Sequence, residues 1–181
     1  MTELPTLIVV SGPPGAGKTT LAHALARAIG CPAVCRDEIK EGMVHAAPAF
    51  TPGPGDALNV PTMTAFFGVL ELLLRAGVTT VAEAAFQDRL WRPGLEPLRA
   101  LARLRIVHCS TTPEVAAERI RLRSKDNPLR RAHSAPGSQQ TTRAFDRVAI
   151  AADALEVDTT DGYRPALDEI VAFVNDGLRP E

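Results

Sequence analysis

The chain has 181 residues, 45% of them hydrophobic and 23% charged, which is ordinary for a globular protein able to bury a core. Its net charge of −1 excludes a global basic field, so recognition of any anion has to be local. No apolar stretch runs as long as a membrane span, and Met1 to Pro5 lacks the layout of a signal peptide. Three cysteines (Cys31, Cys35, Cys109), without C-x-x-C spacing, point to buried thiols in a reducing cytoplasm.

Thr6 to Val10 reads as a buried first strand. The next residues, Gly12-Pro13-Pro14-Gly15-Ala16-Gly17-Lys18-Thr19, fit G-x-x-x-x-G-K-[ST] and lead into a helical pattern over Thr19 to Ile29. The glycines allow backbone N–H groups to curl round phosphate oxygens, and the helix start favours the anion. Lys18 is expected to reach the β- and γ-phosphates and the Thr19 hydroxyl to hold Mg²⁺, with Thr20 continuing the loop. This predicts a site for ATP with Mg²⁺.

Gly30 and Pro32 stop the first helix; a short strand, Ala33 to Cys35, delivers Arg36-Asp37-Glu38 into a second helix. Ala46 to Pro61 is rich in proline and glycine and reads as a functional loop. Thr62 to Ala76 is helical and apolar nearly all round, which predicts a helix sandwiched between layers. With that loop, the Phe66-Phe67 part of the helix is expected to wall an acceptor pocket. Val78 to Ala82 is a strand leading into Glu83, Trp91 to Leu104 looks helical, and Ile106 to Cys109 is a strand. A helix over Pro113 to Arg123 precedes a polar, Arg-rich segment, Ser124 to Gly137, after which helix is expected over Gln139 to Ala151. Leu155 to Val157 forms a last strand, and Leu167, Ile170, Val171 and Val174 mark a closing amphipathic helix. The alternation predicts one domain over 1–181, an α/β/α sandwich of the P-loop NTPase class. It has a parallel sheet of about five strands, a lid near 124–137, and ligands at the carboxyl ends of the strands.

Three groups could carry chemistry there. Asp37, just past the second strand, can accept a proton from an acceptor hydroxyl or bind the metal through water; the plainer reading is a helix N-cap. Glu83 ends an apolar strand, the usual place for an acid near Mg²⁺ or the attacking group, and is expected to meet substrate. The plainer reading is a solvated strand end, but a lone acid among small apolar residues needs a partner there. In the basic run Arg119, Arg121, Arg123, Lys125, Arg130 and Arg131, the i, i+4 spacing sets Arg119 and Arg123 on one face while Arg121 points elsewhere. Arg119 and Arg123, with Arg130 or Arg131, are expected to act on the phosphates; the plainer reading is a solvated helix face. Trp91 reads as packing.

These pieces, in this order, resemble the small P-loop kinases that include the kinase domain of phage polynucleotide kinase, chloramphenicol phosphotransferase and the zeta toxins. The resemblance rests on the phosphate loop, Cys35-Arg36-Asp37-Glu38-Ile39-Lys40, the strand ending in Glu83, and Glu118-Arg119 with Arg123. It implies Asp37 as general base, Lys40 as a substrate contact, Arg119 and Arg123 as lid residues on ATP, and Val157 to Thr160 as an adenine-side loop. Glu83 stands where polynucleotide kinase has Asp, and Lys40 where it has Arg, which weakens a bidentate phosphate contact. The expected function is transfer of the γ-phosphate to a hydroxyl of a small molecule such as an antibiotic, nucleoside or sugar. The alternatives are a polynucleotide 5′-hydroxyl kinase and a nucleotide-binding regulatory module. Neither D-x-x-G nor N-K-x-D occurs, which argues against a GTPase.

Overall fold

The central strands are apolar on both faces, and that decides the architecture. In strand β1 (Thr6–Ser11), Leu7 and Val9 join one core while Ile8 and Val10 join the other, all four fully buried. A strand with two buried faces needs helices on both sides. The computed structural model describes residues 4–47, 50–51, 56–126 and 145–176. Beside β1 lie β2 (Ala33–Cys35), β3 (Thr80–Glu83), β4 (Arg103–Ser110) and β5 (Asp153–Asp158), all parallel, in the order β2-β3-β1-β4-β5. Among the described residues the predicted five-stranded parallel sheet is therefore present.

One face is covered by α1 (Lys18–Ile29), through Leu21, Ala22, Leu25 and Ala26, and by α6 (Leu167–Asn175), through Ile170 and Val174. The other is covered by α3 (Asn59–Arg75) and α4 (Asp88–Leu95), whose Phe66, Leu70, Leu74, Trp91 and Leu95 are buried with Phe86. Trp91 packs at 4.8 Å from Phe86 and 5.7 Å from Phe66, ring centre to ring centre. The remaining helices, α2 (Arg36–His45) and α5 (Pro113–Asp126), leave the carboxyl ends of β2 and β4. Among the described residues no helix is long and apolar enough to cross a membrane.

The structure departs from the sequence reading in three elements. Helix α3 starts at Asn59 and is not sandwiched: Val60 is 74% and Leu72 70% exposed, so only the stripe Thr62, Phe66, Leu70 and Leu74 is buried. Trp91 to Leu104 is not one helix; α4 ends at Leu95, a 3₁₀ turn spans Glu96–Ala100, and β4 has begun by Arg103. Pro93 and Pro97 each remove a backbone donor, and Leu104 and Ile106 then alternate into the core as a strand. Residues 145–151, where helix was expected to continue, carry none: Arg147 makes an antiparallel bridge with Gln87, while Val148 and Ile150 alternate into the core. The rest of that expected helix, most of the lid, and Arg130 and Arg131 lie outside the described residues.

Candidate functional site

The register of the sheet assembles the site. Cys35 at the end of β2 and Val10 on β1 both stand opposite Glu83, and Ser11 stands opposite His108. The chain leaving β1 thus enters its loop between the ends of β3 and β4. Gly12 has a φ of 147°, and a Cβ there would lie 2.3 Å from the Cys109 carbonyl oxygen. Gly15, at φ 80°, would drive a Cβ to 2.7 Å from the Ala116 carbonyl oxygen on α5. A side chain at Gly12 would push the loop away from β4, and one at Gly15 would push it away from α5. Gly17 caps α1, so the N–H groups of that helix's first turn open toward the loop.

Lys18 donates from Nζ to the Pro13 carbonyl at 3.0 Å, folding its ammonium over the loop. Burial lowers its pKa, and the charge of Arg123 pushes the same way; the carboxylates of Glu83 and Asp37 oppose the shift. Glu83 is 2% exposed, and its partner is Thr19, whose Oγ1 donates to Oε2 at 3.2 Å. Burial raises the Glu83 pKa; Lys18 counters this and Asp37 adds to it. Two carboxylates and one ammonium therefore share one electrostatic neighbourhood. The solvated reading of Glu83 does not hold.

Asp37 sits in the first turn of α2 with its side chain half exposed, accepting from Arg36 Nη1 at 2.9 Å. The N-cap is Cys35, with no side-chain cap hydrogen bond, so the capping alternative for Asp37 falls away. Lys40 is 3% exposed and donates to Asp56 Oδ2 at 2.6 Å and Asn59 Oδ1 at 3.0 Å. Asn59 also accepts from Arg36 Nη2 at 2.8 Å. The end of the 46–61 loop is thereby tied to the helix that carries Asp37, while Phe66, expected at a pocket wall, is fully buried in the core. Residues 48–49 and 52–55 of that loop lie outside the described residues.

On the opposite flank the Arg119 guanidinium donates to the Gly15 carbonyl at 3.4 Å, Thr159 Oγ1 at 3.0 Å and the Thr159 carbonyl at 2.5 Å. Thr159, 3% exposed, has its hydroxyl 3.1 Å from both the Ala16 and Ser110 carbonyls. Residue-by-residue reading gave Thr159 no role of its own; its signal was its place within Val157 to Thr160, which the resemblance implies is an adenine-side loop. Arg121 is turned outward and paired with Glu118, as the helical spacing predicted.

The site fits a nucleoside triphosphate carried with a hard divalent cation. The glycines hold the loop's backbone close against Cys109 and Ala116 with no side chain to cover its N–H groups, and Thr19 Oγ1 with the Glu83 carboxylate offers the all-oxygen donors that Mg²⁺ takes. This is the geometry of a P-loop kinase-type fold. A family model described as AAA domain matches residues 7–148, and the chain belongs to that family. A candidate kinase from Chloroflexus aurantiacus superposes with a TM-score of 0.85 at 23% identity, covering 98% of this chain and 100% of its own. A sugar kinase from Janibacter sp. gives 0.64 at 18% identity, covering 96% of each chain. The APS kinase of Mycobacterium tuberculosis, solved in complex with AMPPNP and APS, gives 0.63 at 16% identity over 98% of this chain and 99% of its own. No curated protein matches the chain.

Proposed function

We propose that this protein is a kinase that moves the γ-phosphoryl group of ATP to a hydroxyl of a small-molecule acceptor. The observation that carries the reading is the hydrogen bond from Thr19 of the phosphate loop to Glu83 at 3.2 Å, with Asp37 two residues past Cys35, the β2 residue paired with Glu83. A module that only held nucleotide would need the cradle but not a half-exposed carboxylate beside it.

In this reading the N–H groups of the loop and of the first turn of α1 hold the β- and γ-phosphates, and Lys18 offsets their charge. Thr19 and Glu83 would hold Mg²⁺, which supplies Lewis-acid neutralisation of the phosphate oxygens. Asp37 accepts the proton of the acceptor hydroxyl and aligns its oxygen for in-line attack. Arg36, bonded to Asp37 and anchored by Asn59, holds that carboxylate in place. Arg123, whose charge acts on Lys18, adds positive charge on the phosphate side. Arg119 contributes by fixing the Thr159 segment against Gly15. A small-molecule acceptor is favoured over a polynucleotide because the basic residue expected to meet a substrate phosphate, Lys40, is buried and neutralised by Asp56.

The test is Asp37→Asn, which keeps the shape of the side chain but cannot take a proton. Phosphotransfer, screened across sugars, nucleosides and aminoglycoside-type alcohols, is expected to fall ~10²- to 10⁴-fold with ATP affinity nearly unchanged. Unchanged transfer to the accepted alcohol would remove Asp37 from the role and put Glu83 in its place.

A further inference from the structure

One turn along α1 from Thr19, a second group of donors meets at a single point. His23 on α1, Cys35 at the end of β2 and Glu38 on α2 each bring one ligand atom, and the three atoms lie within 4.8 Å of one another. His23 Nε2 is 2.7 Å from Glu38 Oε1 and 3.8 Å from Cys35 Sγ. A plain surface ion pair would account for His23 and Glu38, both near 45% side-chain exposure. That pair leaves the buried Cys35 thiol beside the same ring nitrogen, with the Glu38 and Glu83 carboxylates as its hydrogen-bond acceptors.

A tetrahedral cation accounts for all three. Metal–ligand lengths of about 2.0–2.1 Å to nitrogen and oxygen and about 2.3 Å to sulfur put ligand atoms about 3.3 Å (N to O) and 3.6 Å (N to S) apart. The sulfur is already near that spacing, and Glu38, on an exposed side chain, has to retreat by only ~0.6 Å. We propose that His23, Cys35 and Glu38 form a site for a borderline-soft divalent cation of the Zn²⁺ class, with the fourth position open to solvent on the exposed side of His23 and Glu38. On binding, the Cys35 thiol gives up its proton to solvent and forms a thiolate–metal bond, while neutral His23 donates its Nε2 lone pair. The mixed N, S, O donor set selects against Mg²⁺, which takes oxygen; Thr19, one turn back along α1, and Glu83, paired with Cys35 across the sheet, offer the opposite preference. Cys35 and Glu38 flank Asp37 in the chain, so an occupied site ties the β2–α2 corner to α1.

Co²⁺ serves as the probe, titrated into the whole protein with Mg²⁺ in large excess. Expected are a near-ultraviolet thiolate-to-Co²⁺ charge-transfer band and visible absorption of tetrahedral intensity, saturating at one ion per chain. Zn²⁺, spectroscopically silent, is expected to erase both. Cys35→Ser abolishes the charge-transfer band. His23→Ala and Glu38→Gln, at half-exposed positions, leave the fold intact and weaken Co²⁺ binding by ~10-fold or more. Cys31→Ser leaves the titration unchanged. Absence of the band in the wild type, its survival in Cys35→Ser, or its loss to Mg²⁺ would each overturn the site.

Discussion

Lys40 illustrates how one residue's surroundings redirect a role read from its neighbours in the chain. Its spacing from Asp37 resembled a substrate contact, but a hydrophobic stem and a nearby acid let it turn inward onto Asp56, whose side chain is only 5% exposed. Burial acts to raise the Asp56 pKa, yet the hydrogen bond and charge of Lys40 outweigh it and hold the carboxyl below its ordinary value. A carboxyl depressed in the folded state stabilises the fold above its unfolded pKa, near 3.9, and loses that contribution as pH falls through the folded value. Asp56→Asn leaves the Lys40 charge with neutral acceptors only. It is expected to lower the unfolding free energy at neutral pH by about 3 kcal/mol, the low end for breaking a buried pair, because Asn59 still accepts. In urea denaturation the gap between wild type and variant should close well below about pH 4. A gap that stays constant with pH would mean that Asp56 acts through packing rather than charge.

At the scale of elements, legibility followed how local the determinants were. The phosphate loop, the strands at Thr6 and Ala33 and the amphipathic closing helix depend on periodicity and on glycine and proline placement within a few residues, and each was readable. Helix α3 was misjudged because an apolar composition does not say how much of a helix finds a partner. Leu70 is fully buried against the sheet while Leu72, two residues on, is 70% exposed. The difference is measurable. Leu70→Ala should cost about 2–5 kcal/mol in unfolding free energy, whereas Leu72→Ala should stay within about 0.5 kcal/mol. Equal losses would show that the outer face of α3 is covered in solution. The partners of the site residues were beyond sequence reading for a different reason. Thr19 with Glu83 spans 64 positions and Arg119 with Thr159 spans 40, so only the sheet order could bring them together.

For the whole molecule, the nucleotide site is a seam between distant parts of the chain. The loop after β1 meets α5 at Gly15 and Ala116, Arg119 of α5 holds the segment after β5, and Glu83 at the end of β3 closes onto Thr19. A ligand seated there touches segments that must separate when the protein unfolds, so it stabilises by mass action through the folded state alone. At free Mg·ATP a hundredfold above its dissociation constant the gain is about 2.7 kcal/mol. For a chain of this size, each kcal/mol moves the midpoint by about 2–4 °C, which gives an expected rise in Tm of roughly 5–10 °C. On the proposed reading, Lys18→Ala removes the ammonium that would offset the phosphate charge while leaving the glycines of the loop and both cores untouched. It should unfold near the wild-type temperature without nucleotide and shift by less than a quarter of the wild-type amount with it. Calorimetry with and without Mg·ATP distinguishes the outcomes. A variant that melts early without ligand would make Lys18 a structural tie through Pro13, and one that shifts as far as wild type would remove Lys18 from the nucleotide site.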